Sequence, residues 1–300
     1  MSEIKWPVPQ EQESLPQLDK EFVESTQNFI SELSSSIVGY QTPTMDYCHD
    51  SNGIIALLNL LENVRSMTIQ FEPIRDTLQR FGNKAFKHLI NHLEQNVEAL
   101  LAPIIKLSDN ISESTLREDL RRYLIKCFGN KTRLDYGTGH ELSFACLVKT
   151  LYQHGILGGD DRRDVVLFVF QRYFKLVRHL IELYNLEPAG SKGVWGLDDY
   201  QFLPFIFGAA QLQIQSSITP EQAIERPIIE MYKDAYIYIE ALGYITACKR
   251  SVPFYECSPM LYDISGIKSW KKIYVGLLNM YRDHVLSRNI VINEINSGKD

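Results

Sequence analysis

Apolar residues recur at intervals of three, four and seven positions along most of the chain, the spacing that places them on one face of an α-helix. This pattern predicts helices at about 22–37, 54–64, 84–105, 115–127 and 142–151. The third of these should be interrupted near Pro103, because proline has no amide hydrogen to donate. The alternation of apolar and polar positions that is typical of strands is nearly absent. The sequence therefore predicts an all-α fold.

The second half of the chain continues the helical pattern. Residues 165–184 are apolar on more than one side, which predicts a helix at the centre of the protein. Further helices are expected at 231–248 and 270–286. Three hundred residues can form one body around one core. We expect a flexible lead-in at 1–18, a helical domain at 19–288 and a polar end at 289–300.

Composition narrows the class of protein. Hydrophobic residues make up 45% and charged residues 23% of the chain, as in ordinary globular proteins. The net charge of -6, with no dense run of Lys and Arg, argues against nucleic acid and membrane lipid as partners. The five scattered cysteines form no C-x-x-C pair and indicate a reducing compartment. Without a signal peptide or an apolar stretch of about 18 residues, the chain is expected in cytoplasm or nucleus.

The first segment that breaks the helical periodicity reads RLDYGTGHE and directly precedes an apolar helix. Thr138 and Glu141 have the spacing of a capping box, which would make the segment a well-capped helix start. Alternatively, Gly137 and Gly139 turn backbone amides outward at the helix N-terminus, where an anion is favoured, and Arg133 adds a bidentate donor. Both interpretations stay open at this point.

The second segment reads EPAGSKGVWGLDDYQ and carries three glycines at intervals of three residues. It is either a tight loop between helices or a surface shaped for binding. Adjacent side chains point in different directions in a helix or a strand, so Asp198 and Asp199 cannot face the same way. We expect one of them to brace backbone amides and the other to reach a groove or a cation.

Three strings in these segments, YGTGHE, EPAGS and GVWGLDDYQFLPF, resemble the phosphotyrosyl phosphatase activator family, and weaker similarity covers most of residues 20–285. The resemblance implies an all-helical fold of core, linker and lid subdomains. It also implies an activator and chaperone of the catalytic subunit of serine/threonine protein phosphatase 2A and its scaffold complex. Peptidyl-prolyl cis/trans isomerase activity, ATP with magnesium at the phosphatase contact, and a monomer that can dimerise with peptide are further implications.

The resemblance also assigns roles to residues by position. Arg133, Thr138 and Gly139 would contact nucleotide, and Gly193 with Asp199 would lie by the magnesium. Trp195 and Asp198 would act in isomerisation within a peptide groove. The residues that would bind peptide or partner are Gly193, Val194, Trp195, Gly196, Asp198, Tyr200 and Phe202. After Val285 the chain departs from the family pattern, so the resemblance supplies no third wall for the nucleotide pocket.

Isomerisation breaks no bond, and its barrier of about 18–20 kcal/mol reflects the loss of amide resonance. Trp195 would hold the proline ring, and Asp198 would favour the twisted amide. Two alternatives remain: a non-catalytic binding chaperone of the phosphatase, and a composite ATPase formed with it, for which His140 or Glu141 would be the local base. All three hypotheses require the two segments to form one cleft.

Overall fold

The computed structural model describes residues 17–43, 50–75, 81–108, 113–190, 193, 196–249 and 252–288. Helices predominate in this part of the chain, and the prediction of an all-α fold is confirmed. The helices of the first half are α1 (Gln17–Ser35), α2 (Asn52–Met67), α3 (Ala85–Ile105), α4 (Glu113–Lys126) and α5 (Thr138–Gln153). The interruption predicted near Pro103 is wrong, because this proline lies in the last turn of α3, where little helix remains to be broken.

The second half begins with a continuous helical segment at residues 162–184. It consists of α6 (Arg162–Asp164), a π-helical segment (Val165–Phe170) and α7 (Gln171–Tyr184). The prediction of a central helix at 165–184 is confirmed, because its apolar side chains are almost all buried. The remaining helices are α8 (Leu203–Gln211), α9 (Arg226–Tyr232), α10 (Ile237–Cys248), α11 (Phe254–Cys257), α12 (Pro259–Ser265) and α13 (Trp270–Tyr281), which continues as a π-helical turn (Arg282–Leu286).

The single helix predicted at 231–248 is wrong, because the chain breaks between α9 and α10. Tyr236 is extended there, and the first amide of α10, that of Ile237, donates to Gln211 Oε1 at 2.8 Å. Gln211 is fully buried and also donates from Nε2 to the Tyr40 carbonyl. A side chain from α8 thus caps α10 in the interior, which periodicity along one helix cannot reveal.

Helix α8 lies at the centre of the second half and packs against α10 at backbone distance. A Cβ atom added to Gly208 would fall inside the backbone of Tyr238. The core around these helices is aromatic: Phe144 of α5 stacks on Tyr173 of α7 with ring centroids 3.8 Å apart, and Phe170 contacts Phe207 of α8. Burial of these side chains fixes α5, α7 and α8 as one unit.

A pair of two-residue strands joins two distant parts of the chain. Strand β1 (Asp135–Tyr136) pairs in parallel with β2 (Glu187–Pro188), and the Ala189 amide continues the ladder by donating to the Tyr136 carbonyl at 2.7 Å. A Cβ atom at Gly137 would lie 2.6 Å from the Ala189 oxygen, so glycine is needed for this approach. Strands this short give no alternation in the sequence.

Most of the predicted lead-in at 1–18 and the predicted polar end at 289–300 lie outside the described residues, although α1 already begins at Gln17. Among the described residues, none of the helices combines the length and the apolar character needed to cross a membrane.

Candidate functional site

The two segments singled out by the sequence lie side by side at an open cleft of about 410 Å³. Thr138, the first residue of α5, lines one side of the cleft, and residues 196–199 together with Phe202 line the other. Strands β1 and β2 hold the segments together directly below this point. The prediction that the two segments are neighbours is therefore confirmed.

A third wall of the cleft comes from the end of the described chain. His284, Val285 and Arg288 follow α13 and line the same cleft. The sequence departs from the family pattern in this region, and the resemblance gave no reason to place these residues at the site. Their position depends on how α13 packs against α8, a tertiary contact that local patterns do not encode.

A second pocket, of about 510 Å³, lies on the other side of the paired aspartates. It shares residues 196–199 with the first cleft and adds Gly193, Lys249 and the segment 257–259. The turn that carries both aspartates is therefore a ridge between two depressions. Val194 and Trp195 lie outside the described residues, and the roles assigned to them stay predictions.

The two aspartates divide their tasks as their adjacency predicts. Asp198 Oδ2 accepts hydrogen bonds from the backbone amides of Tyr200 at 3.0 Å and Gln201 at 2.9 Å, which fixes the turn before α8. Burial, and secondarily the neighbouring charge of Asp199, raises the pKa of Asp198, although the two amides and Arg178 oppose the shift. Asp198 is thus the aspartate that braces the backbone.

Asp199 contacts a cation, and this cation is the Lys249 side chain of the same protein. Its Oδ2 lies 3.0 Å from Lys249 Nζ, at the end of α10, and both side chains are about one-third exposed. Lys249 Nζ also donates to the Cys257 carbonyl at 3.1 Å. Lys249 therefore ties the aspartate ridge to the far wall of the second pocket. No local pattern in the sequence reveals this contact, because 50 residues separate the two partners.

The capping box predicted for Thr138 and Glu141 is wrong. Gly137 is the N-cap of α5 and makes no side-chain cap, whereas Glu141 is fully buried and points to another helix. Its Oε2 accepts from the backbone amides of Phe202 at 2.9 Å and Leu203 at 3.0 Å. Glu141, on α5, therefore caps the N-terminus of α8. This contact joins residues about 60 positions apart and takes the place of the predicted capping box within α5.

The buried position of Glu141 changes its protonation. Burial raises its pKa to about 8, against the opposing effect of the two hydrogen bonds from the start of α8. Its other oxygen, Oε1, has no hydrogen-bond partner within the described part of the chain, and neither has the nearby buried hydroxyl of Tyr281. Glu141 thus connects α5 to the start of α8 in the interior, and it does not line the cleft.

Arg178 of α7 supports the same turn from the interior. Its Nε donates to Gln201 Oε1 at 2.8 Å, and its Nη1 lies 2.6 Å from Glu240 Oε2 of α10. The arginine side chain is only 6% exposed. This ion pair links the turn before α8 to α7 and α10. The ridge that carries the aspartates is therefore held from three helices.

Arg133 is half-exposed and forms an ion pair through Nε with Asp135 Oδ2 at 2.7 Å. His140 Nε2 lies 3.7 Å from the other oxygen of that aspartate. Burial penalises the charge of Asp135, yet His140 and Arg133 together hold its pKa below the usual value. Arg133 and Gly139 are not among the residues that line either pocket, so their assignment to a nucleotide stays a prediction.

The remaining residues that were predicted to bind a peptide or partner fall into two groups: some line the first cleft, and one holds the turn in place. Gly196 and Phe202 line the first cleft, and their role in binding a partner stays a prediction. The Tyr200 hydroxyl instead donates to the Leu186 carbonyl at 2.8 Å, next to β2. Tyr200 thus fixes the turn before α8 to the strand pair, which is a structural role.

Comparison with known proteins shows the family of the chain. The model of the phosphotyrosyl phosphate activator (PTPA) protein family matches residues 18–299. The chain is similar to serine/threonine-protein phosphatase 2A activator 2 of Saccharomyces cerevisiae, with 38% identity over 263 residues, 87% of this chain and 72% of the relative. It is also 38% identical over 271 residues to the serine/threonine-protein phosphatase 2A activator of Drosophila melanogaster, covering 90% of this chain and 66% of the relative.

A solved structure gives the same result at the level of the fold. The crystal structure of the PP2A phosphatase activator Ypa1 PTPA1 superimposes with a TM-score of 0.82 at 30% identity, covering 92% of this chain and 87% of that one. The helical body and its paired segments therefore define a phosphatase-activator fold. The chain belongs to the phosphotyrosyl phosphate activator family.

Proposed function

We propose that the protein activates serine/threonine protein phosphatase 2A by binding its catalytic subunit, free or with its scaffold, at the cleft. The observation that carries this proposal is the convergence of Thr138 and the Asp198–Asp199 ridge on one open cleft, within a family whose relatives are named activators of this phosphatase. Buried contacts from Glu141 and Arg178 make the ridge a rigid surface, which lowers the entropy cost of binding a partner.

The proposed mechanism is cis/trans isomerisation of a prolyl bond in a segment of the partner. Asp198 would favour the twisted amide, with Trp195 against the proline ring. Asp198 uses Oδ2 for the turn, and Oδ1 makes no hydrogen bond within the described part of the chain, so one oxygen is available for a substrate amide. A tenfold gain in rate requires only about 1.4 kcal/mol of preferential binding to the twisted state.

ATP with magnesium is part of the proposal at the same cleft. Within the described residues no cluster of three or more His, Cys, Asp or Glu side chains is suited to a metal ion. Magnesium commonly binds through one or two carboxylates together with phosphate oxygens, and Asp199 fits as such a single ligand. Thr138 at the start of α5 and Arg288 fit the phosphates. Bound magnesium would neutralise phosphate charge, and Lys249 would have to share Asp199 with it.

A non-catalytic chaperone is the second candidate, and it is favoured by the structural role of Asp198. Because this carboxylate fixes the turn before α8, its loss would alter the shape of the binding surface without any role in chemistry. A chaperone would stabilise one phosphatase conformation by the difference in affinity between two states. The composite ATPase has less support, because His140 and Glu141 are buried and neither lines the cleft.

Two substitutions at one position separate these candidates. Asp198→Asn keeps a carbonyl oxygen that can accept from the amides of Tyr200 and Gln201, but it removes the carboxylate charge. Asp198→Ala removes both. For an isomerase, we expect Asp198→Asn to lower the rate of isomerisation of a proline peptide, and the activation of the phosphatase, by tenfold or more. Capture of the purified catalytic subunit by Asp198→Asn should remain close to that of the wild type.

The matched control is Asp160→Asn, at an exposed aspartate in the turn before α6. Loss of isomerisation with full activation of the phosphatase would favour the chaperone and exclude isomerisation as its cause. If Trp195→Ala and Asp198→Ala both capture the catalytic subunit as strongly as the wild type does, the cleft is not the phosphatase contact and the proposal is wrong.

A further inference from the structure

A second depression, between α2 and α7, shares no lining residue with the cleft. It is an open groove of about 930 Å³. Its floor is formed by the buried side chains of Leu61 and Leu176, and its rim carries Arg65, Arg172 and Lys175. On α7 the basic residues are three positions apart, so they extend from the same outward face of the helix. The groove is therefore apolar at the bottom and cationic at the edges.

The positive charge of this groove is only partly compensated. Arg172 Nη1 lies 3.4 Å from Glu62 Oε2. Arg65 and Lys175, by contrast, have no carboxylate within 4.0 Å in the described part of the chain. The chain as a whole carries a net charge of -6. Two cations without a carboxylate partner on an acidic protein attract anionic groups and raise their rate of encounter.

The groove continues into an apolar depression, and this continuation limits the kind of anion that fits. Arg65 borders both parts, and Ile69, Pro73 and Leu183 line the extension. The Ile69 side chain is 76% exposed. Glu62 and Glu72 also line this end, and both would repel a continuous polyphosphate or a carboxylate placed there. A ligand that places carboxylates at one end and an apolar side chain at the other is complementary to both parts.

We propose that the groove between α2 and α7 binds an acidic segment of a partner protein, with carboxylates against Arg65 and Lys175 and an apolar side chain against Ile69. The unpaired cations would give rapid encounter, and burial of the apolar side chain in the extension would retain the segment. This surface is independent of the cleft, so it can hold a partner while the cleft acts. Loss of binding at one site should leave the other unchanged.

The test uses a fluorescein-labelled peptide of 14 residues that combines glutamates with two leucines four positions apart. Fluorescence anisotropy measures its affinity for the wild type and for the double variant Arg65→Glu/Lys175→Glu. We expect the double variant to bind at least tenfold more weakly. The wild-type affinity should fall as salt is raised from about 50 to 300 mM, because exposed charges are screened over roughly a Debye length. A peptide with both leucines replaced by serine should also bind more weakly.

The matched control is Arg121→Glu/Lys271→Glu, which makes the same change of charge at exposed positions on α4 and α13. The milder pair Arg65→Gln/Lys175→Gln keeps the test valid if the reversal of charge perturbs folding, which circular dichroism would reveal. Equal binding by the groove variants and the control would overturn the proposal. So would an unchanged affinity for the serine peptide, or tighter binding of a 14-nucleotide single-stranded RNA, which would indicate a general polyanion site.

Discussion

Beside the cleft, Asp199 and Arg178 each contact an oppositely charged side chain of the same protein, whereas in the groove between α2 and α7 two cations have no such partner within the described residues. Asp199 pairs with Lys249, and Glu141 caps α8. Arg65 and Lys175 extend from the groove without a carboxylate near them. The contacts of Asp199 and Glu141 thus hold the cleft walls together, and the groove presents two charges that are available to another molecule.

The difference indicates where each kind of substitution should act. A buried group that loses its partner costs the full penalty of an unsatisfied charge or dipole, whereas an exposed charge in water costs little to remove. Changes at the cleft should therefore alter the free energy of unfolding. Changes at the groove should alter binding alone.

The largest effect is expected for Glu141→Ala. Two amides at the start of α8 lose their acceptor, and truncation leaves a cavity, so we expect the free energy of unfolding to fall by about 2 to 5 kcal/mol. Urea denaturation followed by circular dichroism measures this value. Glu141→Gln keeps an acceptor oxygen and should lose less, and Glu24→Gln on the exposed face of α1 is the control. A change below about 0.5 kcal/mol in Glu141→Ala would show that the cap is dispensable.

The next effect is the dependence of stability on pH. The folded pKa of Glu141 is about 8 and the usual value is 4.5, so between these values the folded state binds a proton that the unfolded state has released. The contribution is complete below pH 4.5 and is lost as pH rises through 8. The free energy of unfolding should therefore fall by up to about 5 kcal/mol over this window, at about 1.4 kcal/mol per unit.

The groups that face Glu141 are Asp198, Arg178, Tyr136 and Tyr281, and burial also raises the pKa of Asp198, which acts in the same direction. Urea denaturation at a series of pH values tests the assignment. The slope should flatten in Glu141→Gln and stay unchanged in Glu24→Gln. A slope that persists in Glu141→Gln would assign the titration to another group.

A smaller effect is expected for Lys249→Met. The ion pair with Asp199 is about one-third exposed, so its loss should cost no more than about 1 kcal/mol of stability. The variant also removes the Lys249 ammonium from the Asp199 carboxylate. If magnesium binds there, its affinity in the presence of ATP should change, as titration calorimetry would show. Lys271→Met is the matched control on an exposed helix face. A loss of several kcal/mol would mean that this contact holds the fold.

The smallest effect is expected for Lys175→Gln in the groove. This residue has no carboxylate partner within the described part of the chain, and its removal relieves repulsion with nearby arginines. The free energy of unfolding should change by less than about 0.5 kcal/mol, and it could rise slightly. Thermal unfolding beside Lys20→Gln measures the difference. Clear destabilisation would contradict the contrast between the two regions.

Much of the helical body could be predicted from the sequence, because each helix buries one apolar face in the shared core. The break before Ile237 could not be predicted, since its cause is Gln211 of another helix. The same reason explains Glu141: three residues after Thr138 it fits a local capping box, yet its partners lie on α8. At the site, the opposed aspartates follow from backbone geometry alone, whereas Lys249 and Arg288 enter only through tertiary packing.

The parallel pairing of β1 with β2 has a consequence for a chain that is cut. The segment between Gly137 and Ala189 forms a long closed loop, because the strands at its two ends are hydrogen-bonded to each other. The exposed turn at Gly155 lies on that loop. A protease that cut the chain at this turn would give two fragments that stay associated. One fragment carries β1 and the other β2, and each contributes side chains to the aromatic core.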